Sequence, residues 1–349
     1  MPKRLLMLFL CLPLTGCYYL QAASGQWEVM QKREPIDEVV AHPDTSPELA
    51  ARLTLISEAR DFSVDMLGLP DNKSYRTYAD LERDYVVWNV FAAPEFSLQA
   101  KQWCFPVAGC VSYRGYFAKK NALQLAEKLI DDGYDVAVGG VAAYSTLGNF
   151  SDPVLNTMMH WEDVDLVALL FHELAHQIVY VKGDTAFNES FATAVEEIGV
   201  QSWLASRGQE GAMVTYLAGR ELQQSLLAII TAARGDLGRI FESDSSVEDM
   251  RAQKKRRLAD LSDELAAELQ RFGKGGTGWF SGELNNAKLL STLLYEGWLP
   301  AFRALYARCE QQLECLYAEA EELAQLPSSE RQAALSAGDL RRYGRGLDQ

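Results

Sequence analysis

The residues best suited to chemistry lie in one short stretch, which reads HELAH over positions 172–176. His172 and His176 are four positions apart, so on an α-helix both imidazoles face the same side and can reach one ion. Glu173 follows the first histidine and can act as a base toward water at that ion. With only four histidines in the chain, chance would supply this spacing in about one chain in several hundred. The stretch therefore predicts a site for one zinc ion.

Residues 163–182 read DVDLVALLFHELAHQIVYVK and are predicted to form the amphipathic helix that carries this motif. Its flanks are apolar, so the helix should be buried. Two histidines and a glutamate inside a core carry a desolvation cost that metal coordination offsets. The other two histidines, His42 and His160, lack ligand-like spacing and are expected in loops.

A catalytic zinc ion takes three protein ligands and keeps one position for water. The third ligand must therefore come from outside the motif. A chain reversal at Gly183 would set the next helix antiparallel to the first and bring Glu189 beside the histidines. Glu196 and Glu197, one or two turns further on, are rival ligands or partners that orient a ligand.

This arrangement resembles the gluzincins, thermolysin-like peptidases whose third ligand is a glutamate in an Asn-Glu motif on the following helix. The resemblance implies that His172, His176 and Glu189 are the ligands and that Glu173 is the general base and acid. There are two departures. The intervening segment is shorter than in thermolysin, and Thr193 stands where an acid follows the ligand there. The residues behind the ligands must therefore be organised differently.

Further stretches along nearly all of the chain carry a second resemblance. They are YYLQAASGQ (18–26), LPDNKSYRTYADL (69–81), CFPVAGCVSYRGYF (104–117), GGVAAYSTLGNFSDPVL (139–155), GDTAFNESFAT (183–193) and NNAKLLS (285–291). Together they resemble a bacterial family of putative aminopeptidases, which are zinc peptidases with a lipoprotein signal. The resemblance implies a metallopeptidase. The Gly-x-Met-Glu-Asn element that holds a substrate amine in other gluzincin aminopeptidases is missing, because residues 139–143 read GGVAA.

The amino terminus carries targeting information. A short basic start precedes the apolar run 5–14, which is much shorter than the ~20 residues needed to span a bilayer. The run ends in Leu-Thr-Gly-Cys, which resembles a bacterial lipobox, so residues 1–16 are expected to be a signal peptide and Cys17 the acylated first residue. Several acyl chains give firm anchoring. The residue after the cysteine is Tyr18 and not aspartate. In bacterial lipoproteins this resembles the signal for default sorting to the outer membrane, and the protein is then expected to face the periplasm.

Four cysteines remain in the mature chain, and an oxidising compartment favours disulfides between them. Cys104 and Cys110 flank a turn-forming stretch, which favours a local bridge. Cys309 and Cys315 would lie about 9 Å apart on an unbroken helix, beyond disulfide reach. Either that helix breaks or the pairs cross, and all three connectivities stay open.

The element pattern predicts a mainly helical α+β fold. Residues 85–91 and 134–138 read as strands of a small amino-terminal sheet unit. The expected division is an α+β part over 17–160 and a helical zinc-peptidase part over 161–349, packed as one compact unit.

Charge excludes one class of partner. The chain carries a formal net charge of −15, and loss of Lys3 and Arg4 with the signal takes it to −17. Such an acidic chain is a poor nucleic-acid binder, because phosphate contacts need clustered basic residues. The basic run 254–257 is expected to be a solvated helix face.

The sequence thus predicts an envelope peptidase that hydrolyses peptide bonds with zinc-activated water. An aminopeptidase, which removes residues from the amino terminus of a peptide, is included in this prediction. Tyr144 and Tyr295 are candidate donors to the oxyanion of the transition state. The strand around 136–146 is expected to present an edge to an extended peptide. The alternatives are a non-catalytic, zinc-stabilised scaffold or chaperone-like lipoprotein, and a zinc hydrolase of other amides, such as cell-wall peptides. The natural substrate and the oligomeric state stay open.

Overall fold

The computed structural model describes residues 16–105, 109–143, 145–148, 150–275, 280, 282–292 and 297–337. Helices predominate and the sheets are small, which confirms the mainly helical α+β class. The helices described are α1 (Gly16–Gln31), α2 (Ile36–Ala41), α3 (Pro47–Asp65), α4 (Lys119–Asp131), α5 (Asp163–Ala175), α6 (Thr185–Ser206), α7 (Glu210–Phe241), α8 (Val247–Arg271), α9 (Asn286–Thr292), α10 (Leu299–Arg308), α11 (Leu313–Gln325) and α12 (Ser328–Ala337). The strands described are β1 (Arg33–Pro35), β2 (Thr77–Ala79), β3 (Val87–Pro94), β4 (Trp103–Phe105), β5 (Gly109–Val111), β6 (Arg114–Tyr116), β7 (Tyr134–Val141) and β8 (Val154–Leu155).

One sheet has the strand order β6-β3-β7, and both pairings are antiparallel. β3 runs from Val87 to Pro94, two to three residues later than predicted, and β7 extends the predicted second strand to Val141. Helix α4 packs on this sheet through Ala122, Ala126 and Leu129. A second sheet has the order β1-β2-β8, and β4 and β5 form a hairpin. β7 is thus an edge strand of its sheet.

The centre of the main hydrophobic core is the pair α5 and α6. Phe187 and Phe191 of α6 pack edge to face on Phe302 of α10, with ring centroids 5.3 and 5.6 Å apart. All three rings are fully buried, and each contributes roughly 1.5–3 kcal/mol of hydrophobic stabilisation. Gly199 lets α6 approach α5 closely, since a Cβ there would lie 2.7 Å from the Phe171 ring. The two central helices therefore hold a fixed spacing.

The predicted helix over 163–182 is too long, because α5 ends at Ala175 and a turn connects it to α6. The buried Asn188 side chain accepts a hydrogen bond from the Val181 amide (2.7 Å) and donates one to the Val181 carbonyl (2.8 Å). Gly183 then takes φ +82°, a left-handed conformation that glycine adopts at little cost. Helix α5 thus ends seven residues before the predicted end at 182, and these contacts stabilise the reversal that leads into α6.

The basic run 254–257 differs in part from its prediction as a solvated helix face. Lys254 is only 7% exposed, and its Nζ lies 2.7 Å from both Asp135 Oδ2 and the Glu95 carbonyl. Lys255 and Arg256 are exposed as predicted. A lysine paired in this way can be buried because the partner carboxylate compensates its charge. This ion pair fastens α8 to the beginning of β7.

Both cysteine pairs form locally, Cys104 with Cys110 and Cys309 with Cys315. The open choice at the second pair is resolved by a break in the helix. After α10 ends, Glu310 and Gln311 adopt positive φ values of 51° and 60° before α11 begins. The two sulfurs then come within bonding distance, as an unbroken helix could not allow.

Helix α1 is fixed to the sheet by β6. The Gln21 side chain donates to the Gly115 carbonyl (3.4 Å) and accepts from the Phe117 amide (3.2 Å). At Gly25 the Phe117 ring lies so close that a Cβ would be 2.0 Å from it. Within the described residues, no helix combines the length and apolar character that a membrane span requires.

Candidate metal centre

Three side chains from α5 and α6 converge on one point. His172 Nε2 lies 3.2 Å from Glu189 Oε2, and His176 Nε2 lies 3.7 Å from Glu189 Oε1. The two imidazole centroids are 4.8 Å apart. One potential ligand atom from each residue lies within 4.8 Å of the others. The structure therefore brings together the three residues that the sequence singled out, and one ion could contact all three.

The donor set fits a zinc ion, which binds imidazole nitrogen and carboxylate oxygen. His176 supplies an independent test of that fit. It is only 6% exposed, its Nδ1 has no hydrogen-bond partner among the described residues, and its Nε2 is too far from Glu189 for a good hydrogen bond. A buried imidazole without a strong partner is costly. A cation coordinated at Nε2 would give this ring the strong partner that Glu189, at 3.7 Å, does not provide.

The carboxylates of Glu189 and Glu196 favour a positive charge at His172. Burial lowers the pKa of His172, but Glu189 at Nε2 and Glu196 at Nδ1 outweigh it and raise the pKa to about 10. Burial raises the pKa of Glu189, but the adjacent His172 and His176 outweigh it and lower the pKa to about 2. A metal cation can take the place of the proton that the histidine holds, and binding then releases that proton.

Glu173 lines the same cleft as the three converging side chains. Burial raises its pKa above the usual value for a glutamate, although the positive charge of the two histidines works in the opposite direction. The hydroxyl of Ser145 also lowers the pKa through a hydrogen bond. A carboxyl group whose pKa is shifted toward neutrality suits proton transfer in both directions.

Glu196 contacts the face of His172 that is turned away from Glu189. Its Oε2 lies 3.1 Å from His172 Nδ1, and the Tyr216 hydroxyl donates to its Oε1 at 3.2 Å. This contact orients the ring and leaves Nε2 free to face an ion. Glu197, the other rival named from the sequence, is instead paired with Arg220 and Arg303. Thr193 is buried at the cleft and does not occupy the place behind the histidine.

The beginning of α6 is braced by a residue that the sequence reading missed. The Asp184 carboxylate caps the helix by accepting from the Phe187 amide at 3.1 Å. Arg331 from α12 donates to the same carboxylate from Nε (2.9 Å) and Nη2 (2.7 Å), and it is only 3% exposed. The brace fixes the turn of helix that carries Glu189. No local pattern marks Arg331, because the contact spans almost half of the chain.

The centre lies in a cleft of about 2470 Å³. Its walls come from the β6-β3-β7 sheet, α1, the beginning of α5 and α7. Gly139 and Gly140 of the edge strand line it, and so do two tyrosines, Tyr113 and Tyr180, which the sequence reading missed. Tyr180 has its ring centroid 6.1 Å from that of His176. The proposed donors Tyr144 and Tyr295 lie outside the described residues.

Tyr113 lines the cleft together with Glu173 and Glu189. Burial raises the pKa of its phenol, and Tyr180, Glu189 and Glu173 add to the shift in the same direction. A phenol with a raised pKa keeps its proton and can donate a hydrogen bond. Its position, between β5 and β6, depends on the hairpin and could not be inferred from spacing in the sequence.

The two remaining histidines lie apart from this group. His42 is exposed after α2, where its Nδ1 accepts a hydrogen bond from the Asp44 amide at 3.3 Å. His160 lies at the cleft in a turn, with its ring centroid 6.2 Å from that of Trp161. Among the described residues, the metal-capable group includes neither.

Comparison with known proteins gives one family match. A family described as putative aminopeptidase matches residues 17–335, which is most of the chain. Neither the curated proteins nor the solved structures provide a match.

Proposed function

The chain belongs to the putative aminopeptidase family, and from that premise we propose that it is a zinc-dependent peptidase. The observation that carries the proposal is the convergence of His172, His176 and Glu189 in a cleft that Glu173 also lines. A metal site used only for structure is normally closed by four ligands, whereas a catalytic site keeps a position open. Three ligands beside a wide cleft match the catalytic type.

The mechanism assigns proton transfer to Glu173. A zinc ion bound at the centre would supply Lewis acidity, which polarises a carbonyl group and acidifies water. The Glu173 carboxylate accepts the proton of the attacking water and then donates it to the leaving amine. Its raised pKa favours this second step. Glu196 holds the His172 ring in place throughout.

The edge strand β7 offers a place for the substrate backbone. The Val136 carbonyl accepts from the Asn285 side chain at 2.9 Å, and the Ala142 carbonyl accepts from the Thr157 hydroxyl. Successive residues of a strand point their backbone groups to opposite sides. Val138 and Gly140, which lie between these two carbonyls, therefore face the same outer side. An extended peptide can pair there while its scissile bond lies at the centre.

We assign to Tyr113 the role of hydrogen-bond donor to the oxyanion, for which the sequence suggested Tyr144 and Tyr295. Hydrolysis places negative charge on the carbonyl oxygen, and a donor aimed at that oxygen stabilises the transition state. Tyr113 lines the same cleft as Glu173 and Glu189, and burial together with these carboxylates raises the pKa of its phenol, so the phenol keeps its proton.

Replacement of Tyr113 by phenylalanine should lower kcat by about 10²–10³-fold, the usual cost of losing one oxyanion donor. KM should change little, because the hydrogen bond is made in the transition state. Steady-state kinetics of Tyr113→Phe and of the matched variant Tyr180→Phe would test this, with circular dichroism to check the fold. A large loss in Tyr180→Phe and none in Tyr113→Phe would transfer the role to Tyr180.

The proposed location is the periplasmic face of the bacterial envelope, with anchoring through acylated Cys17, most simply in the outer membrane. The support is the Leu-Thr-Gly-Cys motif at 14–17 and a family match that begins at residue 17. Two local disulfides also suit an oxidising compartment.

The proposal predicts zinc-dependent hydrolysis of peptides. Purified protein should cleave unblocked peptides, lose this activity with a chelator and regain it on addition of zinc. Comparing each peptide with its acetylated form separates the two modes of cleavage. A strict need for a free amine would establish an aminopeptidase, and internal cleavage an endopeptidase. Protein with one bound zinc ion per chain and no hydrolysis of any peptide would favour the scaffold alternative.

A further inference from the structure

Helix α1 exposes a face that carries no charge. Its members are Leu20, Ala23, Ser24, Trp27 and Gln31. Leu20 is 70% exposed and Trp27 is 59% exposed. Glu28 is the one charged residue in this helix of 16, and it pairs with Arg83 at 2.9 Å. Such a face is unusual on a chain with 23% charged residues and a net charge of −15.

The opposite side of α1 is part of the cleft. Tyr18, Tyr19 and Gln26 line the cleft wall. The Tyr18 ring stacks on Phe105, with centroids 5.3 Å apart, and Arg114 lies over it at 4.2 Å. With the Gln21 hydrogen bonds to the sheet, these contacts fix the helix to the body that holds the metal centre. The exposed face and the cleft lie on different sides of one fixed helix, so their relative position is fixed as well.

We propose that the uncharged face of α1 lies on the bilayer that holds the Cys17 lipid, so that the cleft, whose wall includes the other side of α1, lies close to the membrane surface. The inference rests on the proposed function, and it names the substrate class as peptide segments that emerge from a membrane. Cys17 directly precedes Tyr18 of the cleft wall, and one residue spans at most ~3.8 Å. No flexible spacer separates the anchor from the cleft.

The chemistry of this face matches a lipid surface. Trp and Tyr prefer the interface between headgroups and acyl chains, and a helix lying in the interface buries its apolar side there. The acyl chains supply attachment, whereas Leu20 and Trp27 would set orientation. A net negative protein gains no general attraction to anionic lipids. The uncharged face is thus the surface of α1 best able to rest on the bilayer.

A label on α1 tests the contact without any need for activity. Two disulfides pair four of the cysteines, Cys104 with Cys110 and Cys309 with Cys315. Cys17 would carry the lipid, so one added thiol can be labelled selectively. In acylated protein reconstituted into vesicles, a fluorophore at Ser24→Cys should be strongly quenched by a quencher attached to lipid headgroups. A fluorophore at Asp244→Cys should not. Asp244 is exposed in the turn between α7 and α8.

The length of β3 shows that the control position Asp244 lies far from α1. Phe241, at the end of α7, packs on Phe96 just beyond the end of β3, whereas Tyr116 beside α1 pairs with Trp88 at its beginning. Six strand residues separate these points by about 20 Å. Equal quenching at the two labels, or quenching at neither, would overturn the proposal.

A pair of substrates then tests the consequence for activity. One peptide is attached to a vesicle lipid directly, and the same peptide is attached through a long Gly-Ser spacer. The directly attached peptide should be cleaved about tenfold faster or more, because its scissile bond stays at the level of the cleft. The double variant Leu20→Ser/Trp27→Ser should lose this preference and still cleave the free peptide normally. Faster cleavage with the spacer would contradict the inference, whereas absence of cleavage even of free peptide would refute the proposed function instead.

Discussion

Glu173→Gln should lower kcat by about 10²–10⁴-fold, the usual contribution of general acid–base catalysis. Glutamine has nearly the same shape as glutamate, but it cannot accept the proton of water at neutral pH. The residue is not one of the three converging ligands. The variant should therefore bind one zinc ion per chain with little change in affinity. Steady-state kinetics combined with metal analysis of the same preparation would measure both quantities.

Glu127→Gln is the matched control for this experiment. Glu127 is an exposed glutamate on α4 and does not line the cleft. The control should retain full activity and zinc content. If Glu173→Gln keeps its turnover while it still holds zinc, the residue is not the base and the assigned mechanism is wrong.

Glu189→Ala should weaken zinc binding by more than about 100-fold, since loss of an outer partner of a ligand alone costs about 10–100-fold. The variant removes the carboxylate that contacts both histidines. Zinc should also cease to stabilise the fold. For the natural chain, zinc at 100 times its Kd adds about 2.7 kcal/mol to the free energy of unfolding. Titration calorimetry and thermal melting with and without zinc would measure these effects.

Glu196→Gln is compared with Glu189→Ala, because it should weaken zinc binding less. It retains all three converging ligands and weakens only the contact with His172 Nδ1, so zinc affinity should fall by about 10–100-fold. A larger loss in Glu196→Gln than in Glu189→Ala would exchange the roles of the two glutamates. A melting temperature raised by zinc equally in all three proteins would argue against metal binding at this centre.

The parts of the centre that the sequence predicted are those with local spacing. Two histidines one helical turn apart must share a face, and a glycine shortly afterwards permits the reversal that brings Glu189 back. The same logic predicted the local bridge between Cys104 and Cys110. In each case the contact depends on a few neighbouring residues, whose geometry is fixed by the helix or by the turn.

Contacts between distant segments escaped the sequence reading. The buried Asn188 side chain holds the turn after α5 through its two hydrogen bonds with Val181, and these form only when the turn itself is formed. Lys254 was expected in solvent because its partner Asp135 lies on a strand 119 residues away. Tyr113 reaches the cleft through the β4–β5 hairpin, and Arg331 reaches α6 from the last described helix. Periodicity cannot reveal such partners, because it reports only which face of an element is buried.

The brace between Arg331 and Asp184 has a consequence for the order of events during biosynthesis. A chain grows from its amino terminus, so Arg331 emerges long after His172, His176 and Glu189. Until then the helix that bears Glu189 lacks the ion pair at its first turn, although both histidines have already been made. In a nascent molecule, the first turn of this helix therefore stays without its ion pair until the chain has been made as far as residue 331.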